Sequence, residues 1–269
     1  MPKIYENRGI DGLVAAEVLQ DDANGYLCDT PFDVAGVAKL VRSTAQSGEA
    51  HYYDNGPKVV VTGTGADTVT IDVSAIPLEV FAKLTGQTYD SAKGALYEGT
   101  PEHKVWAIGY TTEDTNGNKV LVWRLKGSFA VPDSTHSTKD AGTGADGQQL
   151  VYTGVETVYK FEKDGKPHKS VQVEAAKELT DVTDFFASVQ TPDTLIGKTA
   201  RTLTITQAAS TTLTVKKNGV ALTTGATVYD GDVLQITVTG GTVKVNNVAF
   251  TSGDYHVVSG NTTVVSTAA

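Results

Sequence analysis

Apolar positions alternate with polar ones through much of this chain, and the places where the alternation changes mark its elements. Val69, Ile71 and Val73 share one face of an extended segment, with Thr68, Thr70 and Asp72 on the other, as in a half-buried strand. The turn Asp54-Asn55-Gly56-Pro57 opens a β-branched run, Val59-Val60-Val61, and a Gly-rich break is predicted at Thr62 to Ala66. After Val73 the period changes. Leu78, Phe81 and Leu84 recur every three residues, which predicts a short helix with one apolar stripe. Ser74 is placed to cap it, Pro77 suits its first turn and Gly86 its end.

Elsewhere the pattern is mostly that of strands. Residues 13–18 and 34–41 read as the first strands around the turn-rich Asp21 to Gly25, and Ser43 to Glu49 as a small polar loop. Lys104 to Tyr110 is a strand whose partner, Lys119 to Val131, returns through a hairpin at Asn116-Gly117, both turn positions being expected at positive φ. Leu121, Trp123, Leu125 and Phe129 fall on one face of the return strand. Asp133 to Gln149 is a long loop. Leu150 to Phe161 and His168 to Ala175 read as strands, and Thr180 to Val189 as a short helix with Phe185, Phe186 and Val189 on its apolar face. Gln190 to Thr199 then breaks the composition. Beyond it Thr, Val, Gly and Ser dominate, in short alternating segments with Gly/Asn turns, the signature of a small all-β sandwich. The expected division is 1–190, a linker at 191–199, and 200–269.

Charge sharpens this division. The 269 residues carry a net charge of −9. From residue 200 onward four basic residues face three acids, +1, so the first 199 residues hold −10. A surface this acidic disfavours direct nucleic-acid binding, which needs cations against phosphates. One cysteine, Cys28, cannot form an internal disulfide. The N-terminal segment reads without a secretory leader, and no apolar run approaches the ~20 residues of a spanning helix, so no membrane association is expected.

Candidate chemistry is sparse. Thr62-Gly63-Thr64-Gly65 lacks the third glycine, the Lys-Ser/Thr pair and the following helix that a phosphate loop requires, and reads as a turn. Asp140 to Gly147 has a calcium-loop flavour but occurs once, without repetition. The five histidines stand singly, no nucleophile elbow occurs, and the adjacent carboxylates Asp21-Asp22 and Glu113-Asp114 sit in turns. No catalytic residue, metal site or cofactor is expected. Trp106 and Trp123 lie on strongly patterned strands and read as core.

An ordered set of features spans residues 12 to about 190. Tyr52-Tyr53-Asp54-Asn55-Gly56-Pro57 is followed by Ile71-Asp72-Val73-Ser74-Ala75-Ile76-Pro77-Leu78-Glu79 and by Leu84-Thr85-Gly86. Then come Trp106-Ala107-Ile108-Gly109-Tyr110, the hairpin into Val122-Trp123-Arg124-Leu125-Lys126-Gly127-Ser128-Phe129, the Gly/Asp-rich loop and the Val155 to Phe161 strand. In order and spacing this resembles the major tail proteins, or tail tube proteins, of long-tailed siphovirus-type bacteriophages. The trailing segment is similar to the Ig-like modules appended to phage tail proteins.

The resemblance implies a mainly β (α+β) fold: a β-sandwich or half-barrel with a flanking short helix, followed by a small Ig-like all-β sandwich. It implies a virion structural protein, assembled in the host bacterial cytoplasm, whose hexameric rings stack into a tube that conducts DNA without binding it specifically. The acidity of the first 199 residues suits a wall that repels phosphate. Tape-measure, tail terminator and distal tail proteins are the implied partners, with host-surface glycans a further prospect for residues 200–269. Two polar segments are the expected inter-subunit contacts, marked by Ser43, Gln46, Glu49, Tyr52, Tyr53 and Asp54 in one and Asp133, Thr138, Asp140 and Asp146 in the other. The competing reading is a surface or glycan-binding adhesin-like protein with two β domains.

Overall fold

The computed structural model describes residues 6–132 and 147–269. The chain divides into two compact units, one of residues 1–178 and 182–195, the other of 179–181 and 196–269. Both are mainly β.

In the first unit the strands are β1 (Asn7–Asp22), β2 (Gly25–Cys28), β3 (Phe32–Asp33), β4 (Val37–Tyr53) and β5 (Gly56–Val73). Helix α1 (Leu78–Thr85) and the small pair β6 (Thr88–Asp90) and β7 (Ala95–Tyr97) follow. The unit continues with β8 (Trp106–Asp114), β9 (Lys119–Phe129), β10 (Gln148–Gly154) and β11 (Ser170–Glu174). One sheet runs β2-β1-β8-β9-β10-β5-β4, with β3 on β1 and β11 on β9. Leu13 and Ala15 of β1 share a buried cluster with Trp106 and Ile108 of β8, Leu150 and Tyr152 of β10, and Val69, Ile71 and Val73 of β5. Strands from both ends of one sheet can meet this way only if it curls, and β1 packs against β4 accordingly.

A second cluster fills the convex face, where Val14, Ala107, Leu121, Trp123 and Leu125 meet Phe161, Phe185 and Val189. Both tryptophans are fully buried, one in each cluster. Each indole N–H finds a carbonyl, Trp106 that of Leu84 at 3.1 Å and Trp123 that of Phe185 at 3.0 Å. Burial of so large a ring depends on such a partner.

Several sequence expectations change. The Gly-rich stretch Thr62 to Ala66 is no break, since β5 runs unbroken for 18 residues, and Ser43 to Glu49 is strand, not loop. The reason is close pairing of small residues. A Cβ on Gly63 would meet Ser47 Oγ at 3.0 Å, and one on Gly65 would meet Ala45 Cβ at 3.1 Å. Phe129 does not join Leu121, Trp123 and Leu125. Trp106 pairs with Gly127 but Ile108 with Arg124, so one extra residue in β9 turns Phe129 to the concave cluster, edge-on to Tyr152. At the β8–β9 turn only Gly117 takes positive φ (79°), because Asp114 organises a longer loop by accepting from the Asn116 and Asn118 amides.

Helix α1 is shorter than expected. Ser74 does not cap it; its hydroxyl accepts from the Gly36 amide, and Pro77 is the N-cap. Leu78 is exposed, and the buried stripe is Ala82, Leu84 and Thr85. Gly86 ends the helix in the left-handed conformation as expected (φ 69°). Residues 155–161 leave the sheet, so β10 is shorter than the expected strand, and Gln148 and Gln149 belong to β10 and not to the preceding loop. Thr180 to Val189 forms turns and no helix, because the Phe185 carbonyl is engaged by Trp123 and Asp184 takes positive φ. Phe185 and Val189 are nonetheless buried, as their spacing suggests.

The second unit holds β12 (Ala200–Thr206), β13 (Thr212–Lys217), β14 (Val220–Leu222), β15 (Thr227–Tyr229) and β16 (Val233–Thr239). It ends with β17 (Gly241–Val245), β18 (Val248–Phe250), β19 (Tyr255–Val257) and β20 (Thr262–Ala268). Two sheets, β15-β12-β20-β17-β18 and β14-β13-β16-β19, enclose Leu203, Val215, Leu234, Ile236, Val243 and Val264. All pairings are antiparallel except β12 with β20.

Candidate functional site

The β4–β5 hairpin is the longest pairing in the chain, and it changes character along its length. From Val73 back to Asp67, β5 lies between β4 and β10, the last β10 pair being Gly154 with Asp67. Just beyond, the register slips by one residue between Thr44–Asp67 and Gln46–Thr64. A bulge there bends the ribbon where it leaves the sheet. From Gln46–Thr64 to Tyr53–Gly56 the two strands pair only with each other among the described residues. Asp54 and Asn55 close the turn with φ of 51° and 57°. At ~3.3 Å per residue the free ribbon extends roughly 25 Å.

Of the residues predicted from sequence, Ser43, Gln46, Glu49, Tyr52 and Tyr53 therefore lie along β4, and Asp54 lies in its turn. Asp133, Thr138, Asp140 and Asp146 fall outside the described residues. β4 is also the last strand of the sheet, so its outer edge is unpaired among the described residues.

Where the ribbon leaves the sheet, an ion cluster is buried. Asp67 accepts from Arg124 Nη1 at 2.7 Å, with Lys169 Nζ at 3.3 Å and Arg42 Nη1 at 3.6 Å. Arg124 Nε donates to the Tyr110 hydroxyl at 3.2 Å, and the Lys169 ammonium also donates to the Gly65 carbonyl. The Asp67 and Arg124 side chains are each 3% exposed. Burial works against the Asp67 charge, but the Thr44 hydroxyl, Arg124 and Lys169 outweigh it and hold the carboxyl below its usual value. The cluster joins β4, β5 and β9 to the segment before β11. Sequence reading passed over it, yet a signal exists: Asp67 is in phase with Val69, Ile71 and Val73, a carboxylate on an apolar face. Arg124 likewise interrupts an apolar run, Val120 to Leu125.

Beside the cluster opens a cleft of about 640 Å³ between β1, β4, β8 and β9, with Arg8, Lys39, Arg42, Tyr110 and Arg124 in its wall. Another hollow, of about 460 Å³, lies against Tyr26, Cys28 and Phe161. Burial pushes the Cys28 thiol up to about 11, which leaves it unreactive at neutral pH. No three metal-ligating side chains converge among the described residues.

The first unit is thus a curled sheet with a self-paired ribbon and, among the described residues, an open edge at β4. Residues 41–247, more than three-quarters of the chain, match the phage tail tube protein model, and the chain belongs to that family. It is a structural protein of the phage tail and not an enzyme. The match does not stop between the two units; it runs through most of the second. Comparison with curated proteins returns no significant match.

Proposed function

We propose that this chain polymerises as stacked hexameric rings into the tail tube, an acidic-lined conduit for DNA ejected into the host. The observation that carries the reading is the self-paired ribbon of residues 46–64. An isolated two-stranded ribbon is marginal in water, and three strands or a packed partner are needed to hold it. Within the described residues it has neither. A second copy supplies the missing partner, and the open edge of β4 offers a place for one to pair. Residues 133–146 are the other proposed contact between copies. The net −10 of residues 1–199 supports a wall that lets polyphosphate slide. Tape-measure and terminator proteins are the proposed partners inside and at the end of the tube.

Residues 200–269 are proposed as an Ig-like decoration domain outside the tube. Electron microscopy of the purified chain tests the whole reading: rings or tubes of phage-tail width are expected, and a clean monomer at every concentration sinks it. A chain ending near Pro192 tests the decoration reading separately, since it should still polymerise.

A further inference from the structure

We infer that Asn218 is a self-modifying site: the Gly219 amide closes on its side chain, and the residue converts to aspartate and isoaspartate. Asn-Gly occurs four times in the chain, at 24–25, 55–56, 116–117 and 218–219. All four asparagines are exposed, so exposure does not separate them. The glycine amides do. The reaction needs that nitrogen as its nucleophile, and a nitrogen whose N–H is held in a hydrogen bond is fixed in place.

Three of the four are held. Gly25 N–H donates to Asp22 Oδ1 at 3.2 Å, and Gly117 N–H to the Asp114 carbonyl at 3.1 Å. Gly56 pairs with Tyr53 as the closing residue of a two-residue hairpin, the position whose amide donates back across the turn. In the second unit the dipeptide is offset by one residue. Lys217 pairs with Val220, so Asn218 and Gly219 are themselves the two turn residues, at φ of 50° and 79°. The amide of the second central residue of such a turn is not used by the turn. Gly219 N–H accordingly has no partner among the described residues, and open space surrounds Gly219. The strand that follows is short and lightly held. β14 has three residues, lies at the edge of its sheet against β13 alone, and only its Leu222 packs on the core. Local opening that lets the nitrogen reach the side chain is therefore cheap.

The chemistry balances with water alone. Gly219 N bonds to Asn218 Cγ, and its proton leaves with the side-chain nitrogen as ammonia. The ring formed is a succinimide. Water then cleaves one of its two C–N bonds at a ring carbonyl, to give either aspartate or isoaspartate. Either product adds one negative charge, which takes residues 200–269 from +1 to neutral. Isoaspartate also lengthens the backbone by a methylene, which breaks the two-residue turn and loosens β14 from β13. The protein thus ages first at one hairpin of its second unit.

The test incubates the full-length chain in mildly alkaline buffer made with ¹⁸O-water. All four Asn-Gly peptides are followed by mass spectrometry, with fragmentation that separates aspartate from isoaspartate. Conversion at Asn218 should lead Asn24, Asn55 and Asn116 by at least about threefold, the margin that one held amide provides. The product should carry ¹⁸O and be mainly isoaspartate. In the urea-unfolded chain, where every amide is free, the lead should vanish. A smaller lead in the folded chain overturns the inference, and so does the same lead after unfolding, which would assign it to neighbouring residues and not to the turn. Aspartate without isoaspartate at Asn218, or no product there over about a hundred half-lives of the unfolded chain's reaction, overturns it equally.

Discussion

The two ends of the β4–β5 hairpin share strands but differ in what holds them. At the base, β5 has a neighbour on each side, Val69 and Ile71 are fully buried, and Asp67 is tied to three cations. At the tip, from Gln46 to Thr64, each strand has only the other among the described residues. The base owes its stability to this chain, whereas the tip is the part we propose a second copy supports. One hairpin therefore joins a packed base to a self-paired tip, with a bulge between them.

The sharpest way to break the comparison is to remove the tip. Joining Ala45 to Gly65 through Asn-Gly should abolish tube formation seen by microscopy. The melting temperature should stay within a few degrees, about what 1 kcal/mol shifts in a domain of this size. Equal loss of stability would mean the tip supports its own chain.

The base predicts the opposite pattern. Asp67→Ala strands Arg124 without its carboxylate and should cost roughly 3–5 kcal/mol in urea unfolding, the usual cost of breaking a buried pair. Acid should probe the same contact. Because the folded-state pKa of Asp67 is lowered, its contribution is present above the ordinary carboxylate range and lost as pH falls below it. The Asp67→Ala variant should lack that part of the acid dependence.

A milder change tests the second cluster. Trp123→Phe leaves the Phe185 carbonyl without its donor and should cost about 1–3 kcal/mol, with tubes still forming.

The smallest effect serves as a control. His256 Nε2 is a buried nitrogen with no hydrogen-bond partner among the described residues, and burial lowers its pKa. The unfolded state then binds the proton first as pH falls below about 6.5, so stability drops below that point. His256→Phe should flatten this slope and leave assembly unchanged.

What the sequence revealed follows from the range of the forces involved. Period-2 faces survive almost everywhere, since Val69, Ile71 and Val73 need only a sheet beneath them, whichever strands supply it. The mainly β class and the helix ending at Gly86 were legible for the same reason. What sequence concealed depended on partners distant in the chain. Ser43 to Glu49 looks like a loop until Gly63 and Gly65 are set opposite, where their missing side chains let small residues approach. The turn at Phe185 replaced a helix because Trp123, 62 residues away, uses its carbonyl. The ion cluster needed β4, β5 and β9 brought together before Asp67 and Arg124 could be recognised as a pair.

The parallel pairing of β12 with β20 has a consequence in time. β20, the last strand of the second unit, lies between β12 and β17, and β12 is made about 60 residues before it. Until Thr262 to Ala268 are synthesised, both neighbours keep open edges, and a contact this long-range forms slowly. The sandwich cannot mature strand by strand; it closes once, when its final segment is added. A chain cut a few residues short should therefore lose the whole second unit and expose two sticky edges, where a similar cut inside a hairpin-built sheet would lose one strand.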